Sequence, residues 1–82
     1  PENVRLLIEV QHPTTRSLTY IVVASEFYVD LFVLDIEKNA SITHFKKIKT
    51  SIDCMCADLS QPGSFFLARG NKVLNATIDL KL

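Results

Sequence analysis

Apolar residues fall along this chain in short runs separated by polar or proline-bearing breaks. Val4-Arg5-Leu6-Leu7-Ile8-Glu9-Val10 is β-branched and apolar and stops ahead of His12-Pro13, where proline removes the next ladder donor. Thr14 to Ser17 is polar and reads as a loop. Leu18-Thr19-Tyr20-Ile21-Val22-Val23-Ala24 is the strongest strand signal, an apolar run rich in β-branched residues. Val29 to Ile36 is again mostly apolar, with Asp30 and Asp35 near its ends, and Glu37-Lys38-Asn39 marks a turn. Ser41 to Ile48 alternates, with Ile42, His44, Lys46 and Ile48 on one side and Thr43, Phe45 and Lys47 on the other, as a half-exposed strand does. Ile52 to Leu59 is the next run. Ser60-Gln61-Pro62-Gly63 places Pro and Gly where a type II turn needs them, Pro to preset φ and Gly for φ > 0. Phe65 to Ala68, a tight connection at Gly70-Asn71-Lys72, and Val73 to Ile78 complete seven candidate strands.

One segment supports a different structure. Ser25 can cap a helix from Glu26 to Asn39, with Phe27, Leu31 and Leu34 on one face and Glu26, Asp30 and Glu37 opposite. That alternative makes a small α/β domain with a regulatory or dimerisation role. Val29, Phe32, Val33 and Ile36 favour strand by propensity, and Val33 interrupts the polar face. The expectation is therefore an all-β fold of antiparallel strands.

The second half of the chain repeats the first at an offset of 44 residues, without a gap. Tyr20-Ile21-Val22-Val23-Ala24 meets Ser64-Phe65-Phe66-Leu67-Ala68, Val29 meets Val73, and Leu34-Asp35-Ile36 meets Ile78-Asp79-Leu80. A β-only repeat near this length points to the blades of a propeller. Residues 1–82 then form one β-rich module with repeat units of roughly 4–48 and 52–82.

The segment Ser60-Gln61-Pro62-Gly63-Ser64-Phe65-Phe66-Leu67-Ala68 resembles the blade segment of WD-repeat β-propellers, in which a Ser-Pro-Asp-Gly-type turn feeds the second strand. Leu34-Asp35 and Ile78-Asp79 fall where those repeats carry Trp-Asp, and Ala24-Ser25 falls in the small-residue slot ending the second strand. The resemblance covers nearly the whole chain, as about two blades without the final outer strand. The chain has no Trp, and Lys49-Thr50-Ser51 stands where a Gly-His pair would precede the second blade. The hydrogen-bond network that links Asp, His, Ser/Thr and Trp in such blades therefore cannot form. The resemblance implies a non-catalytic scaffold that binds other proteins through the loops of one rim. Those loops would be Ser25 to Tyr28, Lys49 to Ser51 and Arg69 to Lys72, with Glu26, Tyr28, Lys49, Arg69 and Lys72 as contact residues. Propellers need at least ~4 blades to close. The chain is thus expected to be an excerpt of a larger propeller or a segment that completes another chain's sheet by strand addition. The absence of an initiator Met fits an excerpt or a processed product.

Charge narrows the partners. Nine basic and nine acidic residues cancel, leaving no long-range attraction for phosphate, so nucleic acid is not an expected partner. Lys46, Lys47 and Lys49 form the local basic cluster and suit a solvated edge that discourages strand pairing. No apolar run approaches the ~18 residues of a membrane-spanning helix.

Chemistry is sparse. His12 reads as a turn residue and His44 as part of an exposed strand face, neither in a metal-spaced cluster. Asp35 and its counterpart Asp79 read as turn caps. Two glycines, Gly63 and Gly70, make no phosphate-cradling loop. Most aromatic side chains read as core. Cys54 and Cys56 lie on one face of a strand, too poorly placed to bridge each other. Buried reduced thiols are expected there, which fits the cytoplasm or nucleus. Two glycosylation triplets, Asn39-Ala40-Ser41 and Asn75-Ala76-Thr77, point instead to a secreted chain and read as chance matches. A cysteine enzyme pairing Cys54 or Cys56 with His44 is the catalytic alternative, and apolar surroundings disfavour the thiolate it needs. The expectation is no enzyme, no metal and no cofactor.

Overall fold

The computed structural model describes residues 3–78. They form seven strands and no helix: β1 (Leu6–Gln11), β2 (Leu18–Ala24), β3 (Tyr28–Asp35), β4 (Ser41–Lys49), β5 (Cys54–Ala57), β6 (Ser64–Arg69) and β7 (Lys72–Thr77). Two antiparallel meanders result, a first sheet ordered β1-β2-β3-β4 and a second ordered β5-β6-β7. The all-β expectation holds. No helix of the described residues is long and apolar enough to cross a membrane.

The helical alternative for Glu26 to Asn39 is overturned. β3 is a central strand, paired with β2 on one side and β4 on the other, so its backbone groups are satisfied by neighbours rather than within a helix. Ser25 caps no helix. Its backbone N–H donates to the carbonyl of Tyr28 at 2.9 Å, its hydroxyl donates to the same oxygen at 3.3 Å, and together they close a tight turn over Glu26 and Phe27.

The other turns follow from local chemistry. Ser64 N–H donates to the Gln61 carbonyl at 3.2 Å, and Gly63 carries φ of 84°, as a type II turn requires. Gly70, with φ of 60°, takes the first central position between Arg69 and Lys72, the glycine position of a type II′ hairpin. Asp35 caps its turn as expected, its Oδ1 accepting from Glu37 N–H at 3.1 Å and Lys38 N–H at 3.3 Å. Asp79 lies outside the described residues.

β4 departs from simple alternation. Leu31 pairs with Lys46 and Phe32 with His44, so Phe45 is an extra residue and the register shifts there. Ile42 and His44 therefore share a face with Leu34 and Phe32, while Lys46 and Ile48 share the opposite face with Leu31 and Val29. The bulge sets Phe45 against Tyr20, ring centroids 6.1 Å apart, and Phe45 packs on the core.

The sheets stack face to face. The shortest dimension of the molecule is 19 Å, two layers at a sheet spacing of ~10 Å with their side chains. Val10, Tyr20, Val22, Ala24, Val29 and Leu31 of the first sheet are buried with Ile52, Phe65 and Ile78. Gly63 stitches the layers at one end. Its N–H donates to the Gln11 carbonyl at 2.7 Å, and its carbonyl accepts from Ile78 N–H at 2.8 Å.

The two hairpins β2–β3 and β6–β7 share one register. Ala24 pairs with Val29, and at the offset of 44 Ala68 pairs with Val73. The first strands depart from the gapless repeat. Leu6 pairs with Ala24 but Cys54 with Ala68, so β5 follows β1 by 48 residues and the β1–β2 connection is four residues longer than its counterpart. Arg5 and Asp53 follow the same offset, each donating its N–H at 2.8 Å, to the carbonyls of Ala24 and Ala68 respectively.

Candidate protein-interaction surfaces

The Gln11–Gly63 bond sets the β1–β2 end of the first sheet beside the β5–β6 end of the second. The β2–β3 and β6–β7 turns then lie at the opposite ends of their sheets. Glu26 is exposed in the first of these turns, and Tyr28, half-buried, opens β3 opposite exposed Lys49 at the end of β4. Arg69 and Lys72, both exposed, pair across the second turn. Lys47 Nζ sits 4.4 Å from the centroid of the Tyr28 ring, a cation–π contact worth about 0.5–1 kcal/mol when exposed. Asp53 Oδ2 accepts from Gly70 N–H at 2.7 Å and fixes the second turn. The structure thus brings Glu26, Tyr28 and Lys49 to one end of one sheet and Arg69 and Lys72 to the equivalent end of the other.

Each outward sheet face carries an apolar patch, which was not anticipated. Leu7, Ile21, Val23, Phe32 and Ile42 line a depression on the outer face of the first sheet. Cys54, Cys56, Phe66, Ala68 and Val73 line another on the outer face of the second. The sequence carried the signal: Leu6-Leu7-Ile8 and Tyr20-Ile21-Val22-Val23 are continuous apolar runs, and such runs mark strands covered on both faces. Asp30 and His44 flank the first depression, His44 Nε2 lying 2.8 Å from Asp30 Oδ1, with the His44 ring 4.9 Å from that of Phe32. The bulge in β4 puts His44 on this face.

The expectation of buried thiols is corrected. Cys54 and Cys56 are free and exposed, while Met55 and Ala57 between and beyond them pack on the core. Among the described residues only one face of β5 is covered, and the thiols lie on the other. Phe27 is likewise not core, being 58% exposed at the tip of its hairpin. Lys46, Lys47 and Lys49 line the exposed edge strand β4. His12 serves its turn, Nδ1 accepting from Thr15 N–H at 3.0 Å and Thr14 N–H at 3.2 Å. Asn39 and Asn75 are both exposed. Among the described residues no group of three or more His, Cys, Asp and Glu side chains is placed to hold a metal ion.

No family model matches this sequence, and comparisons with curated proteins and with solved structures return no match.

Proposed function

We propose that this chain is a non-catalytic protein-interaction module, part of a repeated-sheet scaffold of the WD-like propeller type, whose rim turns engage a protein partner. The observation that carries this is the recurrence of one hairpin in one register, β2–β3 and β6–β7, with apolar side chains on both faces of each sheet. A sheet with apolar side chains on both sides is the form taken where neighbouring layers cover it. In such a stack the faces are used for assembly, and the turns at the rim remain free to contact other proteins. Glu26, Tyr28, Lys49, Arg69 and Lys72 occupy that rim. The outer edge of β7 has no strand beside it among the described residues, whereas the equivalent edge of β3 carries β4, so a strand of another chain segment completes the second sheet there. Free thiols suit a reducing compartment such as the cytoplasm.

The test is cross-linking with mass spectrometry on the natural full-length protein in cells, comparing wild type with a variant carrying Glu26→Lys, Tyr28→Ala, Lys49→Glu, Arg69→Glu and Lys72→Glu. The expected result is loss of a defined set of neighbours at unchanged protein abundance. An unaltered set of neighbours would show that the rim does not bind partners.

A further inference from the structure

We propose that a second copy of this chain packs on the first head to tail, the outer face of one copy's first sheet covering the outer face of the other copy's second sheet. This surface is separate from the rim, and the inference rests on the reading of the chain as a repeated-sheet unit whose faces serve assembly.

The inference comes from the register. The offset that superposes the hairpins carries Val22, Ala24 and Val29 onto Phe66, Ala68 and Val73. On the first strands, the longer offset carries Leu6 and Ile8 onto Cys54 and Cys56. The first set is the inner face of the first sheet, which the second sheet covers. Its counterpart on the second sheet is the outer face, which nothing among the described residues covers. Val29 is 1% exposed and Val73 is 71% exposed, though they hold the same place in the repeat.

The same offset runs backwards. Phe65 and Leu67, on the face of the second sheet that covers the first, correspond to Ile21 and Val23 on the open face of the first sheet. Met55, packed on the core, corresponds to Leu7, which is 60% exposed. The molecule therefore contains one mated pair of unlike faces, and each open face is the unmated member of another such pair. A second copy supplies the missing member for one open face, and the next copy, or closure of a ring, supplies it for the other. Because the joined faces differ, the contact is heterologous: association continues until a ring closes or runs on as a filament.

The area is of the required order. The accessible surface is 5865 Å² for a 9.2 kDa chain, against roughly 4,900 Å² for a compact monomer of that mass. The excess, roughly 900 Å², is close to the ~800 Å² that each partner buries in a single standard interface, so it accounts for one of the two open faces.

Sedimentation velocity over a concentration series tests this with wild type, Leu7→Asp and Val73→Asp. Leu7 and Val73 are both exposed in the single chain, so neither change disturbs its core, while each sets a carboxylate in one open face, where burial without a partner is unfavourable. Wild type is expected to assemble beyond a dimer as concentration rises. Each variant alone is expected to remain monomeric, having lost one of the two faces. Mixed in equal amounts they should form a one-to-one dimer and nothing larger, since each then retains the face the other lacks. A wild type that stays monomeric throughout would overturn the proposal, as would a mixture that stays monomeric. Self-association of either variant alone would also overturn it, because it would mean that like faces pair. The rim substitutions should leave assembly unchanged, so the two proposals fail separately.

Discussion

Gly63 is a demanding backbone position, and Gly63→Ala measures what holds the layers together. Three conditions meet there. Its φ is 84°, in the left-handed region that costs an L residue about 1–2 kcal/mol. A Cβ would stand 3.3 Å from Pro13 Cδ and 3.4 Å from Pro13 Cγ, so the proline must yield. Its N–H and carbonyl bind Gln11 and Ile78 at 2.7 and 2.8 Å, and moving Pro13 also moves Gln11 two residues before it. Weakening one such bond costs about 1 kcal/mol. The sum is about 2–3 kcal/mol. A domain of this size has a total stability of roughly 4–12 kcal/mol, and each kcal/mol moves its melting temperature by about 4–8 °C.

Gly70→Ala is the control. Gly70 also has positive φ, 60°, but a Cβ there meets nothing within 4 Å. Alanine restricts the unfolded chain equally at both sites, so that effect cancels in the comparison. Urea denaturation of both variants should show Gly63→Ala more destabilised than Gly70→Ala by about 1 kcal/mol, the value of the strained contact to Gln11. Equal losses would refute the claim that the Pro13–Gly63 approach couples the sheets.

The remaining predictions concern the turn before β6 and the core. Asp58 Oδ1 accepts from the Ser60 hydroxyl at 2.6 Å and from Ser60 N–H at 3.0 Å. These bonds, led by the hydroxyl and aided by Asn75 and Gln61 against partial desolvation, hold its carboxyl below the ordinary range. A carboxyl depressed in the folded state adds stability that is complete above its unfolded pKa and lost as pH falls through the folded value. Asp58→Asn should therefore flatten the acid limb of a urea-midpoint profile, and an unchanged limb would remove Asp58 from that role. Phe65 is 3% exposed, so Phe65→Ala should cost about 3–5 kcal/mol in the same assay. Phe27→Ala, at the open hairpin tip, should stay within about 0.5 kcal/mol, and a larger loss there would mean that the tip is covered.

The strands were legible because their runs are short, β-branched and bounded by Pro, Gly or Asp, and each pairs with its chain neighbour. The type II turn at Pro62-Gly63 was readable from two residues whose φ requirements are specific. Central pairing settled the segment from Glu26 to Asn39: β3 gains hydrogen bonds on both sides, and no local propensity encodes that. The bulge at Phe45 was not legible. Nothing in Ser41–Lys49 marks an extra residue, and the shift exists because Phe45 packs against Tyr20, a contact made across two strand pairings. The four-residue difference between β1 and β5 was hidden for a related reason. Those strands share apolar character but few identities, and only their pairing with Ala24 and Ala68 aligns them. The rim residues were located through the turns; the sheet faces were missed because alternation separates two sides of a strand without saying which is covered.

The error about the thiols has the same physical origin as the open faces. Ile52-Asp53-Cys54-Met55-Cys56-Ala57 was read as a buried strand because thiols and small apolar residues prefer the interior. The described residues cover β5 on the side of Met55 and Ala57 only. Cys54 and Cys56 correspond to Leu6 and Ile8, which pack on the core because a second sheet lies over them. No equivalent sheet lies over the thiols among the described residues. The composition of β5 thus suits a strand with two covered sides, and the described residues provide one. Exposure of the thiols follows from the number of sheets present, not from a polar face, and a head-to-tail neighbour would bury them.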